Sequence, residues 1–391
     1  MPLLCAMAAT GAASMDMYLP ALPHVARSLG VSASATQVTI TTFFGGLCAG
    51  HLVAGPLSDL WGRRRPLLLG YAVYVAATVS CAVAPSILAL ASARFAQGLA
   101  AASGMVLSRA IVRDLHTGSA AARMLSRLAL ALGSTAALAP LVGALLIGHT
   151  SWRGIFALQA AFGALLWLAV IAFLPETHLR AGRQGGLRSL LHAFGRLLRS
   201  PSFTGNAAVL ALSSGASFAI ISASSFVVQD VYGRSATVFG VVFGSGAATI
   251  VALSLLNVRL LRGTPPIRVL RIGLAVNVVA AAALLVAVLA GMHLFVVAVF
   301  IVAVFGSWGA LIVPNATALA MADHPDSAGS ASALLGIIQY ATGAVVAPLV
   351  GLAGSGSAVP FAVVIALCSG AAAARFVAML ARMHPPTAMG A

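Results

Sequence analysis

Short polar interruptions divide this chain into apolar runs about one bilayer thick. The runs lie near residues 3–23, 36–57, 66–84, 86–108, 128–148, 152–174, 202–229, 236–257, 267–290, 293–320, 328–353 and 358–381. A helix rises 1.5 Å per residue, so about 20 residues cross the hydrocarbon core. Within lipid every backbone N–H and C=O must be satisfied inside the segment, which leaves helices as the fitting element. Twelve runs and short connections use up nearly all of the 391 residues. Charged residues make up 7% of the chain against about 25% in soluble domains, and mean hydropathy is +1.04. The predicted fold class is an all-α polytopic membrane protein of twelve transmembrane helices.

A net charge of +15 in a soluble protein would point to nucleic acid. Here it has another cause. All 22 basic residues are Arg, and Lys is absent. Without Lys there is no Walker-type ATP site and no lysine Schiff base. The stretch Gly55–Pro66 packs Asp59 and three consecutive arginines between two spans, and Arg-rich short loops mark the cytoplasmic side. With that loop inside, the loops at 109–127, 175–201, 258–271 and 321–327 and the C-terminal end are inside too. Together they hold 18 of the 22 arginines, while Arg27, Arg153 and Arg234 fall on the other side and Arg94 lies inside a span. The expectation is a multi-pass protein of the bacterial inner (plasma) membrane with both termini cytoplasmic. Cys5, Cys48, Cys81 and Cys368 have neither metal nor disulfide spacing. The N-terminus lacks a basic n-region, so the first span is expected to be retained, and the abrupt start leaves room for a longer native N-terminus.

The longest polar stretch, 176–200, separates six spans from six. It carries Arg180, Arg183, Arg188, Arg196 and Arg199, and its leucines recur at helical spacing, which predicts a basic amphipathic helix on the inner membrane surface. The expected domains are 1–175, a six-helix bundle; 176–200, a cytoplasmic central loop; and 201–391, a second six-helix bundle. Ala139-Pro140-Leu141-Val142-Gly143 recurs as Ala347-Pro348-Leu349-Val350-Gly351, in equivalent positions of the two halves. Repeated halves characterise secondary transporters, whose substrates bind at the repeat interface.

Ionisable residues within spans are costly and mark function. Two stand out. Asp16 is about seven residues, ~10 Å, from the outer edge of span one, and Arg94 about eight residues, ~12 Å, from the same edge of span four. At matched depth they are expected to pair, with Gln97 on Arg94's helix face. A structural ion pair is the alternative to proton coupling. Asp59, Arg63 and Asp114 are expected to form a cytoplasmic gate, with Asp59 also facing the N-terminal end of span eleven. The alternative is exposed charges worth ~0–1 kcal/mol each. In span five Gly133, Pro140 and Gly143 mark either a hinge or ordinary close packing. Ser217, Ser224, Trp308, Gln339 and Tyr340 are candidates to line the cavity. His51 and His293 are read as structural.

Several segments carry a family resemblance. Gly55-Pro56-Leu57-Ser58-Asp59-Leu60-Trp61-Gly62-Arg63-Arg64 resembles the loop between the second and third helices of major facilitator transporters. Met15-Asp16-Met17-Tyr18-Leu19-Pro20 is similar to the first-helix signature of the bicyclomycin/chloramphenicol drug-export branch of that superfamily. Arg94-Phe95-Ala96-Gln97-Gly98 resembles its fourth-helix motif, and Ser108–Leu115, Trp152–Phe156, Leu174–Thr177 and Gly329–Gly336 match further segments. Helix five resembles the antiporter motif in reduced form. The resemblance implies two six-helix bundles and proton-driven efflux of small amphiphilic, chloramphenicol- or bicyclomycin-like drugs, conferring antibiotic resistance. It places Asp16 at the proton-coupling acid and Arg94 at its buried partner. Some multidrug relatives carry a second acid about two turns earlier. Here Ala8 and Ala9 stand there, which speaks against export of dications. The expected partners are drug, protons and the lipid bilayer, with no cofactor, no ATP and no nucleic acid, acting as a monomer driven by the proton gradient. A metabolite exporter for a sugar or amino acid is the alternative. No buried charge is evident in spans seven to twelve, which favours neutral or weakly charged cargo. An enzyme would need clustered His, Asp and Glu or a nucleophile triad, and none is seen. A channel would not need repeated halves.

Overall fold

Proline at position 20 sets the shape of the first apolar segment. It has no N–H to give the carbonyl of Asp16, and its ring crowds the same group. Helix α1 accordingly runs Pro2–Asp16 and stops. The chain turns through Met17 and Tyr18, makes a single 3-10 turn at Leu19–Ala21, and restarts as α2, Leu22–Leu29, which ends at Gly30 in the left-handed region. The uninterrupted span expected over 3–23 is thus two helices with a break directly after Asp16.

The computed structural model describes residues 2–116, 118–177, 187–324, 328–351 and 356–383. After α2 come α3 (Ala33–Trp61), α4 (Arg64–Ala82), α5 (Ile87–Leu115), α6 (Gly118–His149) and α7 (Trp152–Phe173). A shorter α8 (Leu187–Leu198) precedes α9 (Pro201–Phe226), α10 (Ala236–Leu260), α11 (Pro266–Leu289) and α12 (Leu294–Ser307). A π-helical turn at Trp308–Ile312 joins α12 to α13 (Val313–Met321), and α14 (Ala328–Gly351) and α15 (Val359–Met383) complete the chain. Serine hydroxyls start several helices: Ser32 accepts from Ala35 N at 3.1 Å and Ser86 from Ala89 N at 3.3 Å, each satisfying an orphan donor. No strand occurs among the described residues. Eleven of their helices or joined helices are long and apolar enough to cross a membrane, and the broken first segment is the remaining run of the twelve. The fold is all-α and polytopic, two six-helix bundles.

Close helix approach depends on missing side chains. A Cβ on Gly46 or Gly50 of α3 would run into the backbone of Phe95 and Leu99 on α5, and one on Gly98 of α5 into the carbonyl of Phe43. The two helices therefore pack backbone to backbone. The two helices carrying the Ala-Pro-Leu-Val-Gly repeat both cross between bundles: α6 packs on α10, and α14 packs on α3.

Two expectations about the polar segments change. The loop foreseen over 109–127 is helical through Leu115 on α5 and again from Gly118 on α6. Helix α8 does form, and its apolar residues are divided: Phe194 and Leu197 are buried in a cluster with Phe203, Leu334 and Met379, while Leu191 and Leu198 stay exposed. Arg180 and Arg183 lie outside the described residues.

Candidate functional site

The break after Asp16 leaves helix-end carbonyls without partners, and the buried polar residues of the first bundle gather there. Tyr18 N bonds to Met15 O instead of reaching back to Ser14 O. Ser14 O is taken up by Arg94 Nη1 at 3.2 Å and Gln159 Nε2 at 3.4 Å. Arg94 also donates to Gln97 Oε1 at 2.6 Å and to Met15 Sδ at 3.4 Å. Its guanidinium lies 4.1 Å from the ring centre of Phe43 and 4.7 Å from that of Tyr18. Cation–π contacts of this kind are worth up to about 2 kcal/mol when desolvated. Gln97 continues the network to Thr78 and to Gln159, at 2.9 and 3.0 Å. Ser14, Thr10 and Tyr18 bond to Tyr74, Tyr71 and Thr39. Four helices, α3, α4, α5 and α7, are thereby tied to the end of α1.

Asp16 takes no part in this network. It is the one buried acid among the described residues, and it makes no hydrogen bond or ion pair with any of them. The expected Asp16–Arg94 pair is not formed. Residues 14 to 16 project around the helix, so matched depth did not mean a shared face. Arg94 caps a carbonyl on one side of α1, while Asp16 is within electrostatic reach of Tyr340 on α14. Arg94 and Gln97 do meet, as their spacing predicted.

At the arginine-rich end Asp59, Arg63 and Asp114 come together as expected. Arg63 Nε contacts Asp114 Oδ2 at 2.8 Å, and Nη1 contacts Asp59 Oδ1 at 2.5 Å and Ser58 Oγ at 2.6 Å. Burial works against the Arg63 charge, but the two carboxylates outweigh it and hold the guanidinium above its ordinary pKa. Glu176, a residue the sequence singled out only for its motif, accepts from the backbone N–H of Arg63 at 2.8 Å and of Arg64 at 3.1 Å, capping α4. Gly62 permits this turn with φ of 83°. Every member of the cluster belongs to the first bundle, so it fastens α3, α4 and α5 to one another and does not itself bridge the bundles. Asp59 does border the same cavity as Gly329 and Ser330, in the first turn of α14.

That cavity has a volume of about 700 Å³ and lies between α3, α5, α13 and α14. Gln339 and Tyr340 line it, as expected. Tyr340 stacks on Phe44 with ring centres 5.9 Å apart and leans on His51 at 5.5 Å. His51 is therefore part of the wall. Arg109 and Arg113 of α5, unassigned by the sequence beyond their motif, line it too. Ser217, Ser224 and Trp308 are not on this wall: Trp308 Nε1 bonds to Ser214 Oγ at 3.2 Å, and Ser217 and Ser224 are buried with unpartnered hydroxyls.

The bundles are tied at the opposite end. Arg27 of α2 meets Asp230, just past α9, at 3.2 Å. Gln229 Nε2 donates to Pro20 O at 3.0 Å, and Gln37 Nε2 to Ser222 O at 3.3 Å. Arg27–Asp230 is the one ion pair between bundles among the described residues. In α6, Pro140 sits inside a continuous helix. A Cβ on Gly143 would collide with the carbonyl of Met17, whereas one on Gly133 would meet only Val251 at 3.6 Å. Gly143 is thus the point where α6 touches the break in the first segment.

Comparison with known proteins agrees with this architecture. The family model described as Major Facilitator Superfamily matches residues 4–348. The chain is 36% identical over 355 residues to an MFS-type transporter, YdgK, of Bacillus subtilis, covering 90% of this chain and 88% of that one. It is 30% identical over 355 residues to a bicyclomycin resistance protein homolog of Haemophilus influenzae, covering 90% and 89%. The fold superposes on a D-xylose–proton symporter with a TM-score of 0.75 at 14% identity, covering 97% and 96%. The chain belongs to the major facilitator superfamily. It is a transporter and not an enzyme.

Proposed function

We propose that this superfamily member is a proton-driven exporter of small amphiphilic drugs in the bacterial inner membrane. The observation that carries the reading is Asp16: a buried carboxylate without partner among the described residues, at the end of a broken helix. Discontinuous helices near mid-membrane are where transporters bind substrates and coupling ions. An unpaired acid there exchanges its proton with whichever side the bundles expose. Similarity to a bicyclomycin resistance homolog supports a drug as cargo. Bundles at 1–175 and 201–391, moving against each other around this site, supply alternating access. The arginine asymmetry supports cytoplasmic termini. The cycle needs no cofactor and no ATP, and one chain holds every residue named.

Asp16→Asn tests this. Asn keeps the size and hydrogen-bonding capacity but carries no exchangeable charge. Uphill chloramphenicol or bicyclomycin export in proton-loaded vesicles is expected to disappear, with the protein still present in the membrane at parental level. Parental uphill export by the variant refutes the assignment.

A further inference from the structure

We infer that the cavity at the arginine-rich end binds an amphiphile with one anionic head, a carboxylate or phosphate, held by Arg109 and Arg113 with its body toward Tyr340. The two arginines are four residues apart on α5, one turn, and so share a face. Both side chains are exposed on the cavity wall, and neither has an ion pair or hydrogen bond with any described residue. The acid on the same wall, Asp59, is already engaged by Arg63. Two neighbouring guanidinium groups without counter-charge repel each other, and an anion bridging them relieves that repulsion through charge-assisted hydrogen bonds. The first turn of α14 borders the same space at Gly329 and Ser330, and the N-terminal end of a helix adds positive potential. Arg109 shares this cavity with an aromatic wall, where Tyr340 stacks on Phe44 and leans on His51. Head and body sites are therefore adjacent. A volume of about 700 Å³ suits one small amphiphile.

Both arginines lie on α5 in the first bundle, so the lack of buried charge in spans seven to twelve does not bear on them. The inference rests on the export reading only for the direction of transport. On that reading one proton enters on Asp16 while one anion leaves, so two positive charges move inward per cycle. A second acid in helix one is not required, in keeping with Ala8 and Ala9.

The test compares 1-pyrenebutyrate with its neutral twin 1-pyrenebutyramide on the purified full chain in detergent, read by energy transfer from tryptophan. The carboxylate is expected to bind at least about tenfold tighter, the size of one charge-assisted hydrogen bond. Raising salt should erode that preference. Arg109→Gln and Arg113→Gln should each remove most of it while leaving amide affinity near parental, which shows that the cavity has folded. Equal binding of the two ligands by the parent, or a preference intact in both variants, overturns the inference. Competition by dihexanoyl phosphatidate but not by dihexanoylglycerol supports a lipid-derived phosphate as the occupant, and competition by octanoate alone supports a free organic anion. Gradient-driven export of neutral drug without carboxylate preference sinks the anion site alone. Carboxylate preference without any gradient-driven export sinks the export reading and leaves the site standing.

Discussion

Arg94 illustrates how a buried charge is accommodated without a counter-ion. Its groups face a backbone carbonyl, an amide oxygen, a thioether and aromatic faces, and it is fully inaccessible to solvent. The planar fork of donors suits this divided task, and a lysine ammonium does not. Removing it orphans Gln97 Oε1, at about 1–3 kcal/mol for a buried group left unsatisfied, and leaves Ser14 O with the single 3.4 Å bond from Gln159. Arg94→Lys and Arg94→Gln are both expected to unfold at lower denaturant than the parent in mixed micelles. The decisive comparison is with Asp16. If the two were an ion pair, Asp16→Asn would rescue much of the cost of Arg94→Gln. The geometry gives them no contact, so the double variant should be additive within about 0.5 kcal/mol. A coupling energy of about 2 kcal/mol or more would restore the ion pair. Sequence placed both residues at one level of the bundle, where Arg94 meets Ser14 and Met15, because spacing along a helix fixes level. It did not give the direction each side chain faces, because that depends on where α1 breaks and how five helices pack around the break.

At the scale of elements, four prolines show what local sequence reveals and what it does not. Pro56, Pro140 and Pro348 lie within continuous helices, whereas Pro20 ends one. The apolar runs were legible because lipid demands them, and most helix ends fell within a few residues of expectation. The break was less legible, since a proline in an apolar run predicts a kink or a stop equally well. Pro20 and Pro23, three residues apart, were the available signal. The functional consequence is the contact of Gly143 with Met17 O, which locks the register of α6 to the break. Gly143→Ala is expected to be overpacked and to lose about 1–3 kcal/mol. Gly133→Ala has room and should be neutral or gain about 0.5–1 kcal/mol from reduced chain entropy. Thermal unfolding and transport rate should separate the two variants. Equal tolerance would mean that α6 and the break do not need this approach. The Arg63 cluster was legible as a cluster because acids are scarce. Its confinement to one bundle was not, because only the fold shows which helices its members join.

For the whole molecule, the state described is tied at one end and hollow at the other. The Arg27–Asp230 tie joins residues 203 apart in sequence, and no local pattern announces it. Its side chains are 60% and 31% exposed, so it is worth ~0–1 kcal/mol and is weakened by salt. A tie this small is suited to breaking in every cycle. Arg27→Asp should favour opening of that end and raise thiol-reagent labelling of a cysteine placed at Ser222, in a chain otherwise free of cysteine. Arg27→Asp with Asp230→Arg should return it toward the parent, and no change in either variant would remove the tie from the gate. The same two-ended picture fixes the charge moved. Asp16 is the single buried acid described, so on the proposed proton-coupled cycle each turn would carry about one proton inward unless the cargo brings another. Exchange for a neutral drug then moves one positive charge inward, and a membrane potential contributes ~2.3 kcal/mol per charge for each 100 mV. Exchange for an anion moves two charges and gains twice that. A monovalent cation moves none, and its export should follow the pH gradient alone. In proteoliposomes with the potential clamped by a potassium ionophore at fixed pH gradient, the potential dependence should therefore rise from cation to neutral drug to anion. Neutral-drug export indifferent to the clamped potential would rule out a one-proton cycle on Asp16.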